Sequence, residues 1–305
     1  GDFTTTVGAR KLIDILRTMP SDQTVSLESS QSKLILKGGK SKFTLQTLPA
    51  EDFPLVQEAA SFGPVFSVPQ KTLKQLLSQV SFAMAVHDIR YYLNGILFVA
   101  EGKQLSLVST DGHRLARIDA DLPEGAAGMP GVIVPRKTVG ELRKLLDDDE
   151  ATIAVSVSET KIRFATPGVT LTSKVIDGTF PDYSRVIPQG NTRRLEVDAK
   201  DFAAAVDRVA TVSSERSRAV KLSLDEDRLI LSVNAPDSGA AEEELAVAYA
   251  DERLEIGFNA KYLLEIASQV DRENAVFLFN SAGDPTLMRE GNDTSAVYVV
   301  MPMRV

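Results

Sequence analysis

Cysteine is absent from this 305-residue chain, and histidine occurs only as His87 and His113. Disulfides and thiolate metal sites are therefore excluded, and a zinc site would need carboxylates to complete it. No metal or cofactor is expected. A long apolar run, a secretory-leader pattern and a lipidation motif are also missing, so the chain is expected to be soluble and cytoplasmic, without a membrane partner. The G-x-S-x-G elbow of a hydrolase does not occur. Thr110-Asp111-Gly112-His113-Arg114 is the best catalytic candidate, because an aspartate beside a histidine can orient a general base. A turn followed by an edge-facing His113 and Arg114 accounts for it more simply, and no catalytic constellation emerges. Gly39-Lys40-Ser41 resembles the end of a phosphate loop, but Leu34 stands where the first glycine is required, and the flanking alternation reads as a hairpin. Asp147-Asp148-Asp149-Glu150 reads as a solvated turn.

What the chain does contain is repetition. A stretch of about fifty residues opens at Val7-Gly8-Ala9-Arg10-Lys11, again at Val134-Pro135-Arg136-Lys137, and again at Phe258-Asn259-Ala260-Lys261. Each copy begins with helical spacing, as in Leu12, Ile13, Ile15 and Leu16, or Val139, Leu142, Leu145 and Leu146. Alternating strands follow, as in Val25/Leu27, Leu34/Leu36 and Phe43/Leu45, or Ile153/Val155/Val157 and Ile162/Phe164. A second kind of half-module lies between the copies and aligns Leu73, Leu77 and Val80 with Phe202, Val206 and Val209; Pro69 and Asp198 start its helices. Two half-modules make a unit of about 125 residues. The reading is 1–63 as the second half of one domain, then 64–190 and 191–305 as complete domains. A half-module exposes the face its twin would cover, and the expectation is that a natural protein carries about sixty more residues before Gly1.

The net charge of −8 argues against a conventional nucleic-acid binder. Its distribution argues otherwise. The five helices expected at 9–18, 69–79, 135–146, 198–212 and 259–270 together carry +6, leaving −14 for everything else. Lysine and arginine are good helix formers, which is one explanation. Basic helices on one surface and acidic strands on another is the second.

Asp88-Ile89-Arg90-Tyr91-Tyr92-Leu93-Asn94-Gly95, Thr110-Asp111-Gly112-His113-Arg114-Leu115-Ala116, Phe180-Pro181-Asp182-Tyr183 and the terminal Tyr298-Val299-Val300-Met301-Pro302-Met303-Arg304 together resemble the bacterial DNA polymerase III beta subunit, or replicative sliding clamp, family. The match runs in order from about Thr4 to Val305. It implies an α+β clamp fold of pseudo-symmetric domains, closed head to tail into a homodimeric ring, with sheets outside and paired helices lining a hole for duplex DNA. The implied function is that of a non-catalytic processivity factor, placed on DNA by a clamp loader and tethering the replicative polymerase. Other polymerases and repair proteins would use the same clamp-binding peptide site. Such a ring needs only inward cations, because retention is topological rather than sequence-specific.

The inward candidates are Arg10, Lys11, Arg17, Lys71, Lys74, Arg136, Lys137, Arg143, Lys144, Lys200, Arg208 and Lys261, and His87 matches a family position on a loop projecting toward DNA. For partner peptides the resemblance implies a deeper subsite of Leu93, Thr110, Gly112, His113, Arg114, Leu115, Pro181, Arg185, Val186, Val299 and Met301. An adjoining one would use Arg90, Tyr91, Tyr92, Asn259, Tyr262, Pro302, Met303 and Arg304. Leucine, valine and methionine give an adaptable apolar floor, while Arg90, Arg185 and Asn259 can fix a peptide backbone. At the ring joint Lys40, Lys42, Phe43 and Leu45 of an edge strand would meet Thr211 and Val212 of a partner, the lysines opposing Glu242, Glu243 and Glu244. Without the front of its first domain, a weakened ring or a monomer is expected. The rival readings are an enzyme using Asp111 and His113, and a peptide-docking scaffold that never meets DNA.

Overall fold

The alternating segments form antiparallel strands and the helical spacings form helices in the computed structural model, which describes residues 2–54, 62–213, 218–272 and 274–305. The chain divides into two compact units, Gly1–Glu58 and Ala59–Val305.

In the first unit helix α1 (Ala9–Arg17) accompanies a sheet ordered Thr6–Val7, Ser41–Leu48, Lys33–Gly38, Val25–Ser30. Ile15, Leu34 and Leu36 are buried between them, while Ile13 and Leu16 on the same helix stay 44% and 42% exposed. Gly38 pairs with Ser41, so Gly39 and Lys40 form a two-residue hairpin turn with Gly39 at φ 56°. Thr6–Val7 pairs only with Leu48 and Thr47. The rest of Ser41–Leu48 is an open edge among the described residues.

Among the described residues, the second unit holds four α-helices and three sheets. Helices α2 (Gln70–Ser81) and α3 (Arg136–Leu145) pack together beside the sheet Thr170–Lys174, Lys161–Ala165, Thr152–Val157, Val65–Pro69. Helices α4 (Ala199–Ala210) and α5 (Ala260–Ala267) pack together beside the sheet Gly239–Ala246, Arg228–Ala235, Ala219–Asp225, Leu254–Asn259. The Asp198 side chain caps α4, accepting from the Lys200 and Asp201 amides, both at 2.9 Å.

Between the two lies a nine-stranded sheet: Ala248–Tyr249, Arg193–Val197, Ala275–Phe279, Thr286–Glu290, Ala296–Val300, Arg114–Asp121, Gln104–Thr110, Gly95–Glu101, Val132–Pro135. Its middle joint is the antiparallel pairing of Ala296–Val300 with Arg114–Asp121, in register from Ala296 opposite Ile118 to Val300 opposite Arg114. Side chains alternate across this joint. Ala116, Tyr298 and Val300 enter the main apolar core, which runs continuously from Phe66 to Val300 through Leu77, Phe98, Phe202 and Phe258. Val108, Leu115, Tyr183 and Val299 form a separate small cluster, covered by Phe180 and Ile187.

Phe202 is fully buried, with its ring 5.0 Å from that of Phe277. Phe202→Ala should remove about 3–5 kcal/mol of stability, read by chemical denaturation. A loss below roughly 1 kcal/mol would mean that α4 does not depend on this contact.

Candidate functional site

The hairpin that carries Thr110 to Arg114 is held by its own side chains. Thr110 Oγ1 donates to the Arg114 carbonyl at 2.6 Å and accepts from the Gly112 amide at 3.1 Å. Asp111 Oδ1 accepts from the amides of His113 and Arg114, and Asp111 Oδ2 accepts from Arg114 Nε at 3.2 Å. The carboxylate is thus committed to the turn and to Arg114, not to the histidine ring. His113 stacks on Tyr262 instead, with ring centroids 6.5 Å apart. This removes the arrangement an enzyme would need.

Arg114 is not edge-facing, as the sequence reading expected; it is 7% exposed. Its Nη2 donates to the Phe82 carbonyl at 2.7 Å, its Nη1 donates to Glu265 on α5, and its guanidinium lies 4.4 Å from the Tyr262 ring centroid. One buried cation therefore ties the hairpin to the end of α2 and the middle of α5. An ion in that position is tolerated only because every arm is matched.

Beside this hub opens a cavity of about 210 Å³. Leu93, Thr110, Gly112, Arg114, Leu115, Pro181, Val186, Val299 and Met301 line it, joined by Arg90 and Tyr183. It gathers the deeper-subsite residues except His113 and Arg185. Arg185 is 84% exposed at its side chain and pairs with Asp182 at 2.8 Å, so it stands outside the lining. Tyr183 was not among the expected residues, although it ends one of the quoted motifs. Its hydroxyl donates to Glu101 at 2.7 Å, and burial pushes its phenol pKa up.

The adjoining set divides. Arg90 reaches over the deep cavity, and Tyr91 and Tyr92 pack about Gly178. Asn259 Oδ1 accepts from the Lys261 amide at 3.0 Å, so its amide oxygen caps α5. Pro302, Met303 and Arg304 line a different opening of about 1170 Å³, against Lys221, Ser232 and Glu255 on the polar face of the last sheet.

Most of the helical cations are exposed. Arg10, Lys11, Arg17, Arg136, Lys137, Arg143, Lys200 and Lys261 make no ion pair among the described residues. Four others do. Lys74 pairs with Asp148 at 2.9 Å, Lys71 approaches Glu150 at 3.8 Å, and Lys144 pairs with Glu141 at 3.0 Å. Arg208 forks onto Glu243 at 2.9 and 2.5 Å. That pair engages two of the expected charges with each other: Arg208, expected toward DNA, and Glu243, expected at the ring joint. Glu244 lies 3.6 Å from Arg228, which leaves Glu242 as the member of that run without an ion pair among the described residues. His87 is exposed at φ 54°, beside Ile89, which is 96% exposed.

Phe43 and Leu45 are half-buried on the open edge of Ser41–Leu48, with Lys42 exposed there and Lys40 in the turn before it. Gly239–Ala246 is likewise the outermost strand of its sheet. Thr211, exposed, and Val212, half-buried, follow α4.

Three family descriptions match successive parts of the chain: DNA polymerase III beta subunit, N-terminal domain, over residues 1–57, central domain over 67–182, and C-terminal domain over 184–304. The Beta sliding clamp of Caulobacter vibrioides is 44% identical over 306 residues, covering 98% of this chain and 82% of the relative. That of Escherichia coli K12 is 39% identical over 303 residues, covering 99% and 82%. Among solved structures, a Bartonella birtlesii sliding clamp bound to griselimycin superposes with a TM-score of 0.93 at 48% identity, covering 99% of this chain and 82% of that one. A Pseudomonas aeruginosa DNA polymerase sliding clamp gives 0.90 at 40%, with 99% and 82% covered.

Arg90 forks onto Asp88, and this holds the Asp88 carboxyl at a pKa of about 2, down from the ordinary 3.8. A lowered carboxyl pKa means the pair is complete above the ordinary value and is lost only as pH falls toward 2. Carbon-detected NMR of the Asp88 carboxyl should give a midpoint near 2. A midpoint near 3.8 would show Arg90 detached in solution.

Proposed function

This chain belongs to the DNA polymerase III beta subunit family, non-catalytic clamps that make the polymerase processive, and from that premise we propose how its own residues do the tethering. The cavity bounded by Leu93, Leu115, Val186, Val299 and Met301 takes apolar side chains of a short peptide carried by the polymerase, the clamp loader, and other polymerases or repair proteins. The observation that carries this reading is that the lining comes from both strands of the central joint and from the 181–186 segment, and is apolar with Arg90 at its rim. Such a pocket buries a few anchors and fixes their orientation with few polar groups.

The three parts 1–63, 64–190 and 191–305 act as clamp domains. Two copies join head to tail, the open edge of Ser41–Leu48 in one meeting the end of α4 and the edge Gly239–Ala246 in the other, and the ring closes when each contact rotates by a half turn. The unpaired cations of α1, α3, α4 and α5 then face duplex DNA without reading its sequence. Lys74 and Arg208 contribute less, because Asp148 and Glu243 already hold them. His87 supplies a further contact from its loop. The working compartment is the cytoplasm.

Two variants separate tethering from encirclement. Val186→Asp with Met301→Asp should cut polymerase stimulation by at least about tenfold while the protein is still retained on circular and not linear DNA. Normal stimulation would sink the pocket assignment. At a concentration where the unaltered chain associates, Phe43→Asp with Leu45→Asp should lower the sedimentation coefficient toward that of a single chain and abolish retention; association undiminished by the substitutions would sink the proposed joint.

A further inference from the structure

Asp88 does not line the cavity, yet every hydrogen bond its carboxylate accepts comes from Arg90, which does. Its Oδ1 accepts from Arg90 Nε at 3.0 Å and from the Arg90 amide at 2.8 Å, and its Oδ2 accepts from Arg90 Nη2 at 2.8 Å. The carboxylate thus grips both the backbone and the fork of the same arginine. Asp88 is itself clamped at both ends of its own backbone by Asn94, whose Oδ1 accepts from the Asp88 amide and whose Nδ2 donates to the Asp88 carbonyl, each at 3.0 Å. The Asn94 carbonyl in turn accepts from the Arg136 amide at 2.9 Å, at the start of α3. A continuous series of fixed groups therefore runs from a helix end to the guanidinium.

Across the cavity mouth, Arg90 Nη2 also donates to the Asp111 carbonyl at 3.2 Å. Beneath it lies Gly112 at φ 88°, where an added Cβ would stand 2.9 Å from Arg90 Nη1. A side chain there would displace the guanidinium, so glycine serves both the turn and the arginine. Nε and Nη2 are taken. Nη1 keeps both hydrogens without a partner among the described residues.

We propose that Asp88 is a positioning and specificity-determining residue: it holds Arg90 as a neutralised pair that offers only Nη1, a donor suited to a backbone carbonyl of an extended, uncharged peptide rather than to an acidic side chain. The physical basis is that a forked, paired guanidinium retains its directional donors while its net field largely cancels. Asp88 acts through Arg90 and touches no peptide. The proposal rests on the peptide-tethering reading above, and the experiment distinguishes the failure of one from the failure of the other.

The probes are two fluorescein-labelled hexapeptides with leucine at alternate positions, so that their apolar side chains fall on one side of an extended chain. One is otherwise uncharged, and the other has a single glutamate between the leucines. Measured by fluorescence anisotropy, Asp88→Asn should weaken the uncharged peptide by about threefold to tenfold and shift the preference toward the glutamate peptide. Arg90→Lys, which keeps the charge but cannot fork, should produce the same shift in preference. With Arg90→Ala already in place, Asp88→Asn should change neither affinity. Equal losses for both peptides, or losses that persist without Arg90, would make Asp88 a merely structural residue and overturn the proposal. Failure of both peptides to bind the unaltered chain, or binding indifferent to Met301→Asp, would instead remove the tethering reading and this proposal with it.

Discussion

The pairing of Ala296–Val300 with Arg114–Asp121 is the constraint on which the second unit depends. Because neighbouring residues of a strand face opposite sides, one register assigns Tyr298 and Ala116 to the main core, and Leu115 and Val299 to the small cluster beneath the cavity. A slip of one position in the last strand would turn Tyr298 and Val300 toward the cavity and carry Val299 into the main core. Arg114 enters at the end of this register, opposite Val300, and its matched arms reach Phe82, Asp111, Glu265 and Tyr262. Core, cavity, the end of α2 and the body of α5 therefore share one set of hydrogen bonds.

The charges follow a comparable economy. An acidic chain can still approach DNA if its cations are gathered on helices, and the free ones here lie on α1, α3, α4 and α5. The paired ones are partly cancelled by acids on turns and strands: Asp148 and Glu150 beside α2, Glu243 beside α4. For a clamp held by the encirclement proposed above, weak attraction is an advantage. Strong phosphate contacts would add affinity at the expense of movement along the duplex.

Much of this was legible in the sequence because the signals were periodic. Helical spacing at Leu73, Leu77 and Val80 and alternation at Ile153, Val155 and Val157 are properties of nearby residues, and these form a helix and a strand. The four quoted segments that meet at the cavity were legible only through a family resemblance, because no local rule brings Val299 beside Leu115. What escaped was the state of individual charges. Arg114 reads as an exposed turn residue until Glu265, 151 positions away, is seen beside it. Arg208 reads as a free helix cation until Glu243 folds over it from a strand. Asn259 also caps α5, a role that its short side chain and its position before a helix suit.

The last residues bind the two halves of the second unit in quick succession. The Met301 amide donates to the His113 carbonyl at 2.9 Å, and the Met303 amide donates to the Gly257 carbonyl at 2.7 Å. Over Gly257, the Val305 side chain fills the volume that a Cβ would need. This is a stitch: alternate residues of one short thread are sewn to opposite sides of a seam. For the peptide proposed above, drawing the thread aside at Met301 would also strain the knot two residues on. Adaptation to that guest would fall first to the pliant thioether of Met301.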